Sequence, residues 1–130
     1  MREIKFRGKD RLTGQWFYGS SFLKYSDEKT NIPLSLFWDL VEREILNPET
    51  VGQYTERKDR NGKEVYEGDI LFPEGYKSRF YRHVIIYSDC SFGYYDNVGE
   101  FYPIRESKIA VLKLFVIGNI HDNPELMDVK

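Results

Sequence analysis

Along the first twenty residues the chain alternates, with Ile4, Phe6 and Gly8 on one side of a pleat and Glu3, Lys5, Arg7 and Lys9 on the other. A period of two marks a half-buried strand, because successive side chains of an extended chain point to opposite faces. Segment 10–14 supplies a turn and 15–19 returns, which predicts an N-terminal β-hairpin. Residues 25–33 are polar and read as a loop. From 34 to 46 the period changes: Leu34, Phe37, Trp38, Val41 and Ile45 recur at three- and four-residue spacing, which predicts one short amphipathic helix. Pro48 ends that segment and no strong N-cap precedes it beyond Asn31 or Ser35, so a strand is the alternative there.

The middle of the chain is punctuated by turn residues. Asp59 is placed to accept a hydrogen bond from the backbone two residues on, Arg60 and Asn61 suit the centre of a type I turn, and Gly62 supplies the positive φ that closes it. Gly68, with Asp69 after it, lets the chain bend before the apolar run Ile70, Leu71, Phe72, which reads as a buried strand. A turn at 73–75 precedes a strand over 80–87, then a break over 89–92 and a hairpin around Gly93, Asp96, Asn97 and Gly99. Strands at 101–104 and 109–117 follow, the latter carrying only Lys113 as an internal charge, so that an open edge there would invite a second subunit. The tail from 122 has Pro124 where a first helical turn favours proline, so it reads as a turn of helix or an arm. Seven or so short strands at this spacing suggest a mainly β chain, a small barrel or a sandwich.

Four segments resemble the YopX family, small proteins of bacteriophages and prophages. They are Gly-Gln-Tyr-Thr from Gly52, Lys-Asp-Arg-Asn-Gly-Lys from Lys58, Tyr-Glu-Gly-Asp-Ile from Tyr66, and Ile-Gly-Asn-Ile-His-Asp-Asn-Pro-Glu-Leu from Ile117. The start, Met-Arg-Glu-Ile-Lys-Phe-Arg-Gly, fits as well, so the resemblance spans nearly the whole chain. One departure is visible, since Glu56-Arg57 stands where the family usually has Gly-Leu. The resemblance implies an SH3-like β-barrel elaborated by an N-terminal segment, and it implies no enzymatic activity, cofactor or catalytic residue set. The organisation expected is a single domain over 1–130, with the hairpin and helix in 1–48, the barrel in 49–122 and a tail in 123–130.

Composition narrows the partners. At 130 residues the chain buries a core without metal or disulfide. Its aromatic content of 16% favours pleated structure, where rings pack across strands. Nineteen basic against twenty-one acidic residues leave a formal charge of −2, so no global field draws the chain onto nucleic acid or an anionic membrane. One cysteine, Cys90, forms no internal disulfide; it is expected as a small half-buried residue. With no long apolar run at the start or elsewhere, the host cytoplasm is the expected location, without membrane insertion.

Candidate chemistry is sparse. His83 and His121 have no zinc-site spacing and Cys90 no Cys-x-x-Cys partner, so neither a metal nor another cofactor is expected. A hydrolase-like site around His121 and Asp122, with Asp69 or Glu67, is the minor catalytic alternative to hydrogen-bonded strand ends. The strongest local binding signal runs from Tyr76 to His83: Lys77, Arg79 and Arg82 are spaced to pair with phosphates while Tyr76 or Tyr81 stacks on bases, against a solvated strand as the plainer reading. A second is Tyr94-Tyr95 with Phe101-Tyr102, rings that either anchor a protein partner or pack on the barrel. Asp59, Asn61, Gly62, Gly68 and Asp69 are expected to serve turns. The expectation is therefore a non-catalytic accessory protein, a protein-interaction or structural module. It would work as a homo-oligomer or with an unidentified phage or host protein, and nucleic-acid binding through the Lys77 to Arg82 stripe is the alternative.

Overall fold

The computed structural model describes residues 2–24, 29–76, 81–88, 90–96 and 98–127. The chain is mainly β and divides into two compact units, Met1–Tyr54 and Thr55–Lys130.

In the first unit the alternating start does form the expected hairpin. Strand β1 (Lys5–Lys9) pairs antiparallel with β2 (Trp16–Ser20), Lys5 opposite Ser20 and Lys9 opposite Trp16. Asp10 fixes the turn, its Oδ1 accepting from the N–H groups of Leu12 and Thr13 at 2.9 Å each. Those backbone bonds, Thr13 first, favour the ionised carboxylate and lower its pKa from the ordinary range. Strand β3 (Asn31–Pro33) runs parallel to β2 and leads directly into helix α1 (Leu34–Glu42), so of the two readings of 34–46 the helix forms. It stops short of 46 because the chain turns in, the carbonyl of Leu40 accepting from the N–H groups of Ile45 and Leu46. Phe37, Leu46 and Ile32 make the core, with Phe6, Phe17, Leu40, Val41 and Val51 packed around them. Phe37 lies on Gly19 so closely that a Cβ there would come within 2.5 Å of its own Cβ. After a 3-10 turn at Pro48–Thr50, strand β4 (Gly52–Lys58) sets out beside β1, Gln53 opposite Phe6.

Glu56 is the irregular residue of β4. It has φ +68° inside a strand, the left-handed geometry of a bulge, which suits glycine and strains a residue with a Cβ. Beside it Thr55 turns inward, its hydroxyl donating to the carbonyl of Val65 at 2.8 Å and accepting from the N–H of Arg57 at 3.2 Å. This is the position at which the resembling family usually carries glycine, so the departure is a matter of backbone strain. Glu56→Gly is expected to stabilise the protein by roughly 0.5–1 kcal/mol, the left-handed penalty relieved less the added freedom of the unfolded chain. Urea unfolding of the two proteins checks it, and a lower midpoint for the glycine variant refutes it.

The second unit contains two three-stranded sheets. Strand β5 (Glu64–Tyr66) is followed by β6 (Asp69–Pro73), which lies between β7 (His83–Val84) and the late strand β11 (Leu114–Asn119), antiparallel to both. Strand β9 (Ser91–Tyr95) lies between β8 (Ile86–Ser88) and β10 (Phe101–Pro103), again antiparallel. Helix α2 (Glu106–Leu112) joins β10 to β11. Val65, Leu71, Ile85, Tyr94, Ile104, Ile109 and Leu114 bury one core from both sheets and the helix. The expected turns are in place: Asn61 N–H donates to Asp59 Oδ1 at 2.8 Å, and Gly62 and Gly68 have φ +82° and +93°.

Several expectations are corrected. Among the described residues no sheet closes on itself, so hydrogen bonding does not draw the SH3-like barrel. Among the described residues there are two α-helices, since the strand expected at 109–117 is helix α2 as far as Leu112 and strand only from Leu114. Lys113 sits between them at φ +53°, its N–H bonded to the carbonyl of Ile109, a left-handed helix cap filled by lysine where glycine is usual. The outer edge of β11 is bonded by the 59–60 turn, Val116 N–H reaching Asp59 Oδ2 at 2.9 Å and Leu114 carbonyl accepting from Arg60 N–H. The strand expected over 80–87 is divided between two sheets, with Ile85 at the join exchanging backbone bonds with Gly68 and Asp69. Cys90 is exposed, not half-buried, at φ +61° between β8 and β9.

A candidate aromatic cleft

Antiparallel register decides which tyrosines act together. Tyr94 lies opposite Tyr102 and Tyr95 opposite Phe101, so alternation sends the first pair to one face of the β9–β10 hairpin and the second pair to the other. Tyr94 is 4% exposed and Tyr95 47%. The four rings read from the sequence as one group are thus two. On the outer face Tyr95 contacts Phe101, ring centroids 5.2 Å apart, and its hydroxyl lies 3.0 Å from Ser88 Oγ.

On the inner face a cleft of about 300 Å³ opens, lined by Pro73, Tyr76, Tyr81, His83, Tyr94 and Tyr102 and completed by Asp96, Lys108 and Leu112. His83 from β7 stacks on Tyr94, centroids 4.1 Å apart and planes 21° from parallel. Tyr94 and Tyr102 follow at 5.9 Å, and Tyr76 meets Tyr81 edge to face at 4.6 Å. Lys108, on α2, holds its Nζ 4.2 Å from the centre of the Tyr102 ring, a cation–π contact. Asp96 caps the hairpin turn, its Oδ1 accepting from the N–H groups of Val98 at 3.0 Å and Glu100 at 2.8 Å.

Burial sets the electrostatics. It lowers the pKa of the His83 imidazole below its ordinary 6.5; Asp96 opposes that shift and Lys108 adds to it. Burial also raises the Tyr94 hydroxyl, while the Glu100 carboxylate is the first cause raising Tyr102. The amides of Glu100 and Val98 lower Asp96 from 3.8, the Glu100 amide most of all. At neutral pH His83 is therefore an uncharged imidazole, Tyr94 and Tyr102 keep their protons and Asp96 is a carboxylate.

A stability profile follows from His83. Its folded-state pKa lies below the unfolded value, so its contribution is fully present above about pH 6.5 and is lost as pH falls through that value toward the lower folded one. The urea midpoint is expected to decline between pH 7.5 and 5.5, and His83→Gln is expected to flatten that decline. Parallel profiles for the two proteins refute the assignment. Loss from Asp96 and Asp10 belongs to a separate window, below about pH 3.8.

The expected basic stripe is described only in part. Tyr81 lines the cleft, but Arg82 turns away and donates from Nη1 to the carbonyl of Leu126 at 2.9 Å, anchoring the tail. Lys77 and Arg79 lie outside the described residues. The carboxylates of the minor catalytic alternative also hold turns: Asp69, 1% exposed, accepts the Tyr66 N–H at 2.7 Å, and Asp122 accepts from Asn119 Nδ2 at 3.1 Å. His121 lies beside Gly68 and does not line the cleft that holds His83. Among the described residues no group of three or more His, Cys, Asp or Glu side chains is placed to hold a metal ion. Nor is any described helix long and apolar enough to cross a membrane.

Sequence reasoning left Lys108 and Asp96 out of any site and weighed His83 as a metal ligand and as the end of the Tyr76 to His83 stripe. Nothing in the sequence marked Lys108, because Ile109 to Leu112 is one aliphatic run and only the helix itself sets Lys108 one turn before Leu112.

Residues 5–128 match the family described as YopX protein. Among solved structures the chain is similar to protein EF1440 from Enterococcus faecalis, at 23% identity and a TM-score of 0.55, covering 96% of this chain and 98% of that one. At that identity the likeness shows the fold alone. No curated protein sequence matches the chain.

Proposed function

The chain belongs to the YopX family, and from that premise and the geometry of the cleft we propose a phage- or prophage-encoded accessory protein that works by binding, without turning over a substrate. The aromatic cleft of the second unit is its recognition site. The carrying observation is the convergence of Tyr76, Tyr81, His83, Tyr94 and Tyr102 from four separated stretches of chain onto one cavity beside Lys108. Rings around a pocket with a few convergent polar groups are the usual construction of a site for a ligand with a flat or apolar body. Tyr76 and Tyr81, 47% and 42% exposed, leave ring surface for that ligand to cover.

We read the second unit, two sheets about one core, as the counterpart of the SH3-like barrel that the resemblance implied. The host cytoplasm is the compartment that suits this reading. An amide-resolved NMR titration with short peptides, single-stranded oligonucleotides and mononucleotides tests it. Shifts at Asp96, Lys108 and Leu112 with the ligand recovered unchanged are expected. Shifts confined elsewhere, or conversion of the ligand, overturn the proposal.

A further inference from the structure

Resting on the reading that the cleft binds, we infer that its ligand is a nucleoside phosphate, free or within a single strand, with the base among the tyrosines and the phosphate on Lys108 and Arg105. The geometry that points there is a division into two compartments. The cleft shares Tyr102, Lys108 and Leu112 with a neighbouring trough of about 480 Å³, also lined by Arg105 and Ser107. One compartment is walled by rings; the other carries two cations and a hydroxyl. A base joined to a phosphate has the same two-part chemistry, a flat polarisable body linked to a dense negative charge.

Sign weighs against the main competitor for an aromatic cage at one of its walls. Tyrosines around a carboxylate suit a quaternary or guanidinium cation, but here Lys108 already occupies the face of Tyr102 at 4.2 Å, so an incoming cation meets like charge at the shared wall. Asp96 keeps its carboxylate charge, but its Oδ1 is turned to the amides of Val98 and Glu100, where it closes the hairpin. An anion instead pairs with Lys108 where the compartments meet and reaches the exposed Arg105 beyond it. Stacking tolerates any base, since every base has a π face, so recognition here is by class and not by sequence.

Anisotropy of a labelled ten-nucleotide single strand, with amide shifts for added mononucleotides, tests the inference at low and moderate salt. Binding is expected to weaken at least tenfold in Lys108→Ala and in Tyr81→Ala, to weaken with added salt, and to recover in Lys108→Arg. Thermal unfolding of each variant identifies any loss that comes from misfolding, and Arg105→Ala, at an exposed position, gives a second reading of the phosphate contact. Equal affinity for mononucleotide and strand assigns the free nucleotide; a strand preference above tenfold assigns single-stranded nucleic acid. No response to either ligand, or Lys108→Ala and Arg105→Ala both binding like the parent, overturns the inference. If peptides alone shift the cleft amides, the nucleoside phosphate falls and the binding reading stands; if no ligand class shifts them, both fall.

Discussion

Gly93→Ala is expected to cost about 3 kcal/mol or more and to remove the cleft with it. A Cβ on Gly93 would lie 2.2 Å from the carbonyl oxygen of Tyr102 and 2.9 Å from the Cα of Pro103. Both are backbone atoms of the paired strand, so no side-chain rotation relieves the clash. The hairpin must open, and overpacking that moves backbone lies at or beyond the upper end of the usual ~1–3 kcal/mol. Because Gly93 pairs with Pro103 next to the Tyr94–Tyr102 pair, opening it separates the rings that wall the cleft. Urea unfolding gives the energy, and loss of the His83–Tyr94 ring-current shifts in the folded variant gives the geometry. A variant within about 1 kcal/mol of the parent contradicts this packing.

Asp59→Ala is the second large effect, expected near 3–4 kcal/mol. The carboxylate is 6% exposed and accepts from the N–H groups of Asn61 and Lys63 through Oδ1 and of Val116 through Oδ2. Removing it strands three donors, each worth about 1–3 kcal/mol where water cannot reach, although the turn lies near enough to solvent to recover part of that. Asp59→Asn separates the contributions, because its carbonyl can still serve Asn61 and Lys63 while its amide faces the Val116 N–H. It is expected to lose about half as much as alanine. Since the Val116 bond also covers the outer edge of β11, the alanine variant is expected to aggregate at concentrations where the asparagine variant stays in solution. Light scattering and chemical denaturation together check both, and equal stability of all three proteins refutes the account.

What could be read from residues alone was local. Asp59 with Gly62, and Asp10 before its turn, declare themselves because the side chain bonds backbone two or three positions away. The first hairpin and α1 followed from a period carried by five or more residues. Helix α2 did not, because Ile109 to Leu112 is aliphatic under either period and its end is capped by Lys113 in place of a glycine. The cleft was legible only as fragments. Tyr94 and Tyr102 were singled out, yet their separation from Tyr95 and Phe101 needed the register, and their meeting with His83 and Lys108 needed the sheets themselves. Arg82 shows a contact that spacing does not reveal: its guanidinium donates to a carbonyl 44 residues away.

The loop between β8 and β9 has a practical bearing on any mass measured in solution. Its Cys90 is the chain's one thiol, and it is exposed at the tip of a tight turn where a second molecule can approach. Air oxidation would join two copies there through a covalent bond that says nothing about natural association. A dimer counts as genuine only if it survives reductant or persists in Cys90→Ser. The same thiol gives a unique attachment point for a fluorophore, four residues along the chain from Tyr94, from which occupancy of the cleft can be followed without altering any ring that lines it.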